Sequence, residues 1–191
     1  FDQELQYLPY DTSSLFSVMN NRLADFEHHL INDEQSIVDT LRKVDGETEL
    51  RRFISYWMNQ NSRGAYTITQ EAVVVSEKRT DIRLHVSGLD RYASIELKLD
   101  DTRNKWSGTQ LRVALEEQLV GRYLNHERSY VGCLLIGMRE SRKWEHPDTG
   151  KRMDLKETVN WLQGIADEIM EGRPELRVSV KGIDYSTTAN G

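Results

Sequence analysis

The sequence predicts an α/β protein, of the α+β kind, with a central mixed sheet of four to five strands flanked by helices. Three observations predict it. Apolar residues recur at helical spacing as far as residue 60, and the period then falls to two across three consecutive segments. The last third of the chain alternates helix and strand signals, so the order reads helix, three strands, helix, strand, helix, strand. Three strands in succession form an antiparallel meander. The strand-helix-strand that follows places a parallel strand in the sheet centre through a right-handed crossover.

Residues 13–31 space Leu15, Phe16, Met19, Leu23, Phe26 and Leu30 as one helical face, with Ser13 or Ser14 as cap. Ile37, Val38, Leu41 and Val44 continue as a short helix closed by Gly46. A further helix runs from about Glu47 to Gln60, with Leu50, Phe53, Ile54, Trp57 and Met58 on one side. Residues 59–64 are a polar loop. Tyr66–Val75 and Asp81–Val86 are rich in β-branched residues, and Tyr92–Leu99 alternates Ile95, Leu97 and Leu99 with Ser94, Glu96 and Lys98. Ser107-Gly108 leads into a helix from Thr109 to about Asn125. The apolar run Tyr130–Met138 is a buried central strand. Residues 139–153 form a charged loop with a turn at Pro147-Asp148-Thr149-Gly150. Asp154 caps a helix that Gly172-Arg173-Pro174 stops, and Leu176–Ile183 is the last strand.

The chain has 191 residues and a formal charge of −6, with 38% hydrophobic and 29% charged residues, which excludes a disordered polyampholyte. One cysteine, Cys133, excludes an internal disulfide framework and a Cys-rich zinc site, and its apolar strand makes it a core residue. His28-His29 and His126 lack zinc-ligand spacing. No apolar run reaches the length of a membrane helix, and a reducing, cytoplasmic setting is the default. The negative total does not exclude a polyanionic partner, because residues 78–152 hold 15 basic against 11 acidic side chains.

Asp81, Glu96 and Lys98 are the chemically informative residues. Side chains two apart on a strand share a face, so Glu96 and Lys98 project together while Leu97 enters the core. Asp81 heads the neighbouring strand and can stand opposite them. Two carboxylates suit a hard divalent cation such as Mg²⁺, and a bound cation acidifies water and stabilises charge on a phosphate. The bland alternative is a turn-terminating Asp81 beside a solvated Glu96-Leu97-Lys98 face.

With Asp81, then fourteen residues, then Glu96-Leu97-Lys98, the chain resembles the PD-(D/E)XK nuclease superfamily, whose restriction-endonuclease-like αβββαβ core has this element order. The Pro that often precedes the Asp is replaced by Arg79-Thr80. The resemblance implies a Mg²⁺-dependent deoxyribonuclease, with Mn²⁺ as substitute. Asp81, Glu96 and the Leu97 carbonyl would be metal ligands, and Lys98 would orient or activate the attacking water. Members often add a Glu from the first core helix; here Glu49 is the match and Glu47 the fallback. Gln118-Leu119-Val120-Gly121-Arg122-Tyr123 resembles the Gln…Tyr helix of RecB-like and lambda-exonuclease-like members. Gln118 would support the site, whereas Tyr123 stands five residues on rather than four and is left outside it.

The resemblance implies nucleic acid as partner, DNA rather than RNA, cut by a homodimer where both strands are cleaved. Candidate phosphate contacts are Arg79, Arg83, Arg103, Lys105, Arg122, Arg142 and Lys143. Arg139, Lys151 and Arg152 belong to the same charged run, and Trp144 within it is a candidate to stack on a base. Residues 1–45 read as a helical extension or linker, 46–185 as the nuclease-like domain and 186–191 as a flexible tail. The absence of an initiator Met points to a longer parent, and the family analogy to a bacterial defence or restriction protein. A competing reading is a catalytically inactive module that keeps the fold and binds DNA or protein.

Overall fold

In a computed structural model, residues 8–32, 46–74, 78–86, 88–101 and 103–186 are described, together with Val38 and Leu41. Helix α1 spans Thr12–Asn32 and α2 Glu47–Gln60. The meander follows as β1 (Thr67–Val74), β2 (Lys78–His85) and β3 (Tyr92–Asp100). Helix α3 (Gly108–Val113) runs directly into a π-helix, Ala114–Tyr123, before β4 (Ser129–Met138). A small hairpin, β5 (Trp144–Glu145) and β6 (Arg152–Met153), precedes α4 (Leu155–Gly172) and β7 (Arg177–Asp184).

The five-stranded sheet has the order β1-β2-β3-β4-β7. β1, β2 and β3 are antiparallel neighbours, whereas β3, β4 and β7 run parallel, so the sheet is mixed as expected. The two crossovers are the α3–π segment and α4. Pairing along β2 explains what happens at its first half. Ile82–His85 pair with β3, but Lys78, Arg79 and Thr80 pair only with β1. β2 and β3 therefore part at Asp81, leaving the β3 edge beyond Glu96 without a strand beside it.

Each face of the sheet carries its own core. On one, Ile82, Leu84, Ile95, Leu97 and Leu99 meet Leu50, Ile54 and Met58 of α2 and Leu15, Met19, Leu23, Phe26 and Leu30 of α1. On the other, Leu134, Ile136 and Val178 meet Leu111, Leu115 and Leu119 of the α3–π segment and Leu162 of α4. α1 thus buries its apolar stripe in the sheet's own core instead of standing apart from it. The expected boundary near residue 45 is not a packing boundary. Most of the short helix expected over 37–44 lies outside the described residues, although Val38 and Leu41 are helical and buried. Residues 187–191 of the expected tail also lie outside them.

Two other expectations change. The loop over 139–153 contains the β5–β6 hairpin, and Trp144, expected to stack on a base, is fully buried in the second core. Cys133 is buried as expected, and burial pushes its thiol up to about 11. No helix among the described residues is long and apolar enough to cross a membrane.

Candidate active site at the parting of β2 and β3

Where two strands part, backbone N–H groups lose their ladder partners and need others. Along β3 those partners are carboxylates. The Leu97 N–H donates to Asp81 Oδ2 at 2.8 Å, and the Leu99 N–H donates to Glu47 Oε2 at 3.1 Å. The splayed edge therefore draws Asp81 from β2 and Glu47 from the first turn of α2 to one place. Asp81 Oδ1 also accepts from Arg51 Nη1 at 3.1 Å, an ion pair in which both side chains are largely shielded.

Glu96 and Lys98 project from β3 on the face opposite Leu97, toward the π-helix. Lys98 Nζ donates to Glu96 Oε1 at 2.6 Å, and both side chains are buried. The ammonium also lies 4.7 Å from the centre of the Trp106 ring, and Trp106 Nε1 is tied to the Leu99 carbonyl at 2.9 Å. Such a cation–ring contact is stronger away from water. Lys98 is held from two sides.

The second Glu96 oxygen, Oε2, is shut off from solvent and has no hydrogen-bond partner. The Tyr123 hydroxyl is close enough to interact with the same carboxylate, without completing ordinary hydrogen-bond geometry to Oε2. Burial pushes the Glu96 carboxyl up to about 7, the neighbouring negative charge of Asp81 adds to the rise, and Lys98 opposes it. Burial likewise raises Glu47 above the ordinary carboxylate range, against the pull of the Leu99 N–H and Lys98. Tyr123 is raised too, chiefly by burial and then by the Glu96 charge. A concentration of buried negative groups with too few cations is the electrostatic state that a bound divalent ion would relieve.

The sequence-predicted residues divide clearly. Asp81, Glu96 and Lys98 come together. Glu47, not Glu49, is the α2 acid at the site: Glu49 is half-exposed and paired with Arg52. Two helical positions differ by about 200° around the axis, so the two acids cannot face the same strand. Gln118 is half-buried on the π-helix. Arg83 is turned to the other end of β3, its guanidinium 4.7 Å over the Tyr92 ring. Arg103, Lys105 and Arg122 are exposed. Arg142 is paired with Asp100 at 3.0 Å, and Lys143 is exposed beside it. The Arg79 side chain lies outside the described residues.

Two site residues were missed. Arg51 carries no sequence signal, because an Arg inside an amphipathic helix reads as surface. Tyr123 did carry one, in its distance from Gln118. An α-helix stacks residues four apart, but π-type bonding, as in Leu124 N to Leu119 O at 3.1 Å, stacks residues five apart. The five-residue spacing thus suits the helix that is there.

Among the described residues, no three His, Cys, Asp or Glu side chains come together as a metal-holding group. A Mg²⁺ site needs less, since one or two carboxylates with waters suffice. Asp81 and Glu96 supply two oxygen donors, and the orphaned Glu96 Oε2 is the atom such an ion would satisfy. Comparisons with protein-family models, with curated proteins and with solved structures give no match to this chain.

Proposed function

We propose that the chain is a Mg²⁺-dependent deoxyribonuclease of the PD-(D/E)XK kind, with the meander and first crossover as its restriction-endonuclease-like core. The observation that carries this reading is the Asp81–Glu96–Lys98 cluster at the strand splay, with one buried carboxylate oxygen left without a partner. Asp81 and Glu96 would hold the ion, with the Leu97 carbonyl as a further ligand, and Glu47 would add negative charge at the same edge. The ion, when bound, polarises the phosphate and acidifies water. Lys98, steadied by Glu96 and Trp106, orients the attacking water and offsets charge on the phosphate. The water oxygen bonds to phosphorus as the bond to the leaving sugar oxygen breaks, giving a 5′-phosphate and a 3′-hydroxyl. Tyr123 supports Glu96 from the π-helix, and Gln118 on the same helix supports the nucleophile that Lys98 orients. As a piece of a longer bacterial defence or restriction protein, the chain would act as the cutting module.

A second reading is a binding module without catalysis. The observation in its favour is that Arg51 and Lys98 already pair with the two carboxylates. Plasmid and single-strand cleavage in Mg²⁺, Mn²⁺ or EDTA, with Lys98→Ala as comparison, separates the two. The nuclease reading expects metal-dependent cleavage, reduced about 10²- to 10³-fold in a variant that circular dichroism shows to be folded. Absent cleavage, together with no thermal shift on adding either metal, would leave the binding module.

A further inference from the structure

Beyond Lys98 the same face of β3 presents Asp100, and Asp100 leads to a second concentration of charge. Its Oδ1 accepts from Arg142 Nη1 at 3.0 Å, and the Arg142 guanidinium lies 5.3 Å over the Trp144 ring. Trp144 opens the β5–β6 hairpin, whose place is fixed by contact with the start of α3. A Cβ on Gly108 would fall 2.3 Å from the Glu145 carbonyl oxygen, so only glycine lets the hairpin sit there. The seated hairpin brings Arg142, Lys143 and Arg152 to one cleft of about 510 Å³, floored by Ser107 and Thr109. Glu145 is the one acid in its lining. Lys143 and Arg152 are exposed, and among the described residues neither is held in a close ion pair as Arg142 is, although the Glu157 charge acts on Lys143. The three cations also border a neighbouring cleft of about 770 Å³ together with Lys156, but Glu27, Asp154 and Asp184 face that one and offset most of its charge. The smaller cleft therefore carries the more positive lining. It adjoins Trp106, the residue over Lys98, through Ser107.

We propose that this cleft binds backbone phosphates of the DNA strand on one side of the scissile group, through Lys143, Arg152 and the Ser107 and Thr109 hydroxyls. The assignment rests on the nuclease reading for its choice of ligand. Arg142, fixed by Asp100 and Trp144, sets the wall of the cleft more than it binds.

The test is anisotropy binding of labelled single-stranded and duplex DNA oligonucleotides to the full chain in EDTA, across a salt series. The Lys143→Ala/Arg152→Ala variant is expected to bind about 10-fold more weakly. Its salt slope should fall by about two, one for each lost phosphate contact. Arg63→Ala/Arg128→Ala, at the end of the sheet where β3 and β4 begin, removes equal charge and should change neither. Unchanged affinity and slope in the cleft variant would overturn the proposal, as would no salt-dependent binding by the native chain. ATP or inorganic phosphate displacing the oligonucleotide with equal or better affinity would assign the cleft to a free phosphate ligand and overturn the DNA assignment. The two readings fail separately. Native cleavage with a silent cleft variant removes the cleft alone, and slope loss without any cleavage keeps the cleft and removes the nuclease.

Discussion

The segment linking β3 to β4 and the helix linking β4 to β7 cover the same face of the sheet, and both open on a capping box. Ser107 pairs with Gln110 in the first and Asp154 with Glu157 in the second, so both start by the same local device. They diverge afterwards. α4 stays α-helical for 18 residues, and its Gln163 Oε1 accepts the Val180 N–H at 2.8 Å. That N–H belongs to the edge strand β7, so the polar side chain serves the backbone. The first crossover abandons α geometry after Val113, and the polar group it sends to the sheet, the Tyr123 hydroxyl, meets a buried carboxylate instead. The regular helix here serves the sheet backbone, and the distorted one faces the site of the proposed chemistry, in keeping with the concentration of π-helical segments at functional sites.

The largest effect expected within the two crossovers sharpens that contrast. Tyr123→Phe keeps the ring and removes the hydroxyl; metal-dependent cleavage should drop roughly 10- to 100-fold, as for the loss of a ligand's supporting contact. Its denaturant midpoint should stay at the native value. A variant that cleaves normally would place Tyr123 among the packing residues and erase the difference between the crossovers. Next in size is Gly182→Ala beneath α4. A Cβ there would lie 2.9 Å from Leu155 and Val159 side-chain atoms. Overpacking should lower stability by about 1–3 kcal/mol, read by urea unfolding, with cleavage retained in the folded fraction. The smallest is Asp154→Ala, which removes the α4 cap and should lower stability by about 1 kcal/mol with the cleavage rate unchanged. A loss of cleavage in either α4 variant would mean that the second crossover also shapes the site.

The same contrast marks what the sequence disclosed. α4 was legible from Asp154 to Gly172 because its cap, its apolar period and its stop are all local signals. The five strands and the Asp81, Glu96 and Lys98 cluster were legible for a related reason: alternation on a strand decides which side chains share a face. The π-helix was not, since a hydrogen-bond shift leaves the apolar pattern helical and its one trace was the five-residue step from Gln118 to Tyr123. Glu47 and Glu49 were indistinguishable without the rotation of α2 about its axis. Trp144 read as a candidate for base stacking in a charged run because a two-residue strand leaves no periodic trace, and Arg51 went unmarked because its partner Asp81 is 30 positions away.

The parting of β2 and β3 has a consequence for how the chain tolerates change. Asp81 is at once a reactive group in the proposed chemistry and the seal over the Leu97 N–H, and Glu47 seals Leu99 in the same way. Architecture and reactivity share atoms at this margin. Replacing Asp81 would strand a backbone donor and remove one ion-pair partner of Arg51, so an inactive Asp81 variant would report a damaged scaffold as readily as a missing reagent. Lys98, whose ammonium supports no backbone group, is the place where the two can be prised apart.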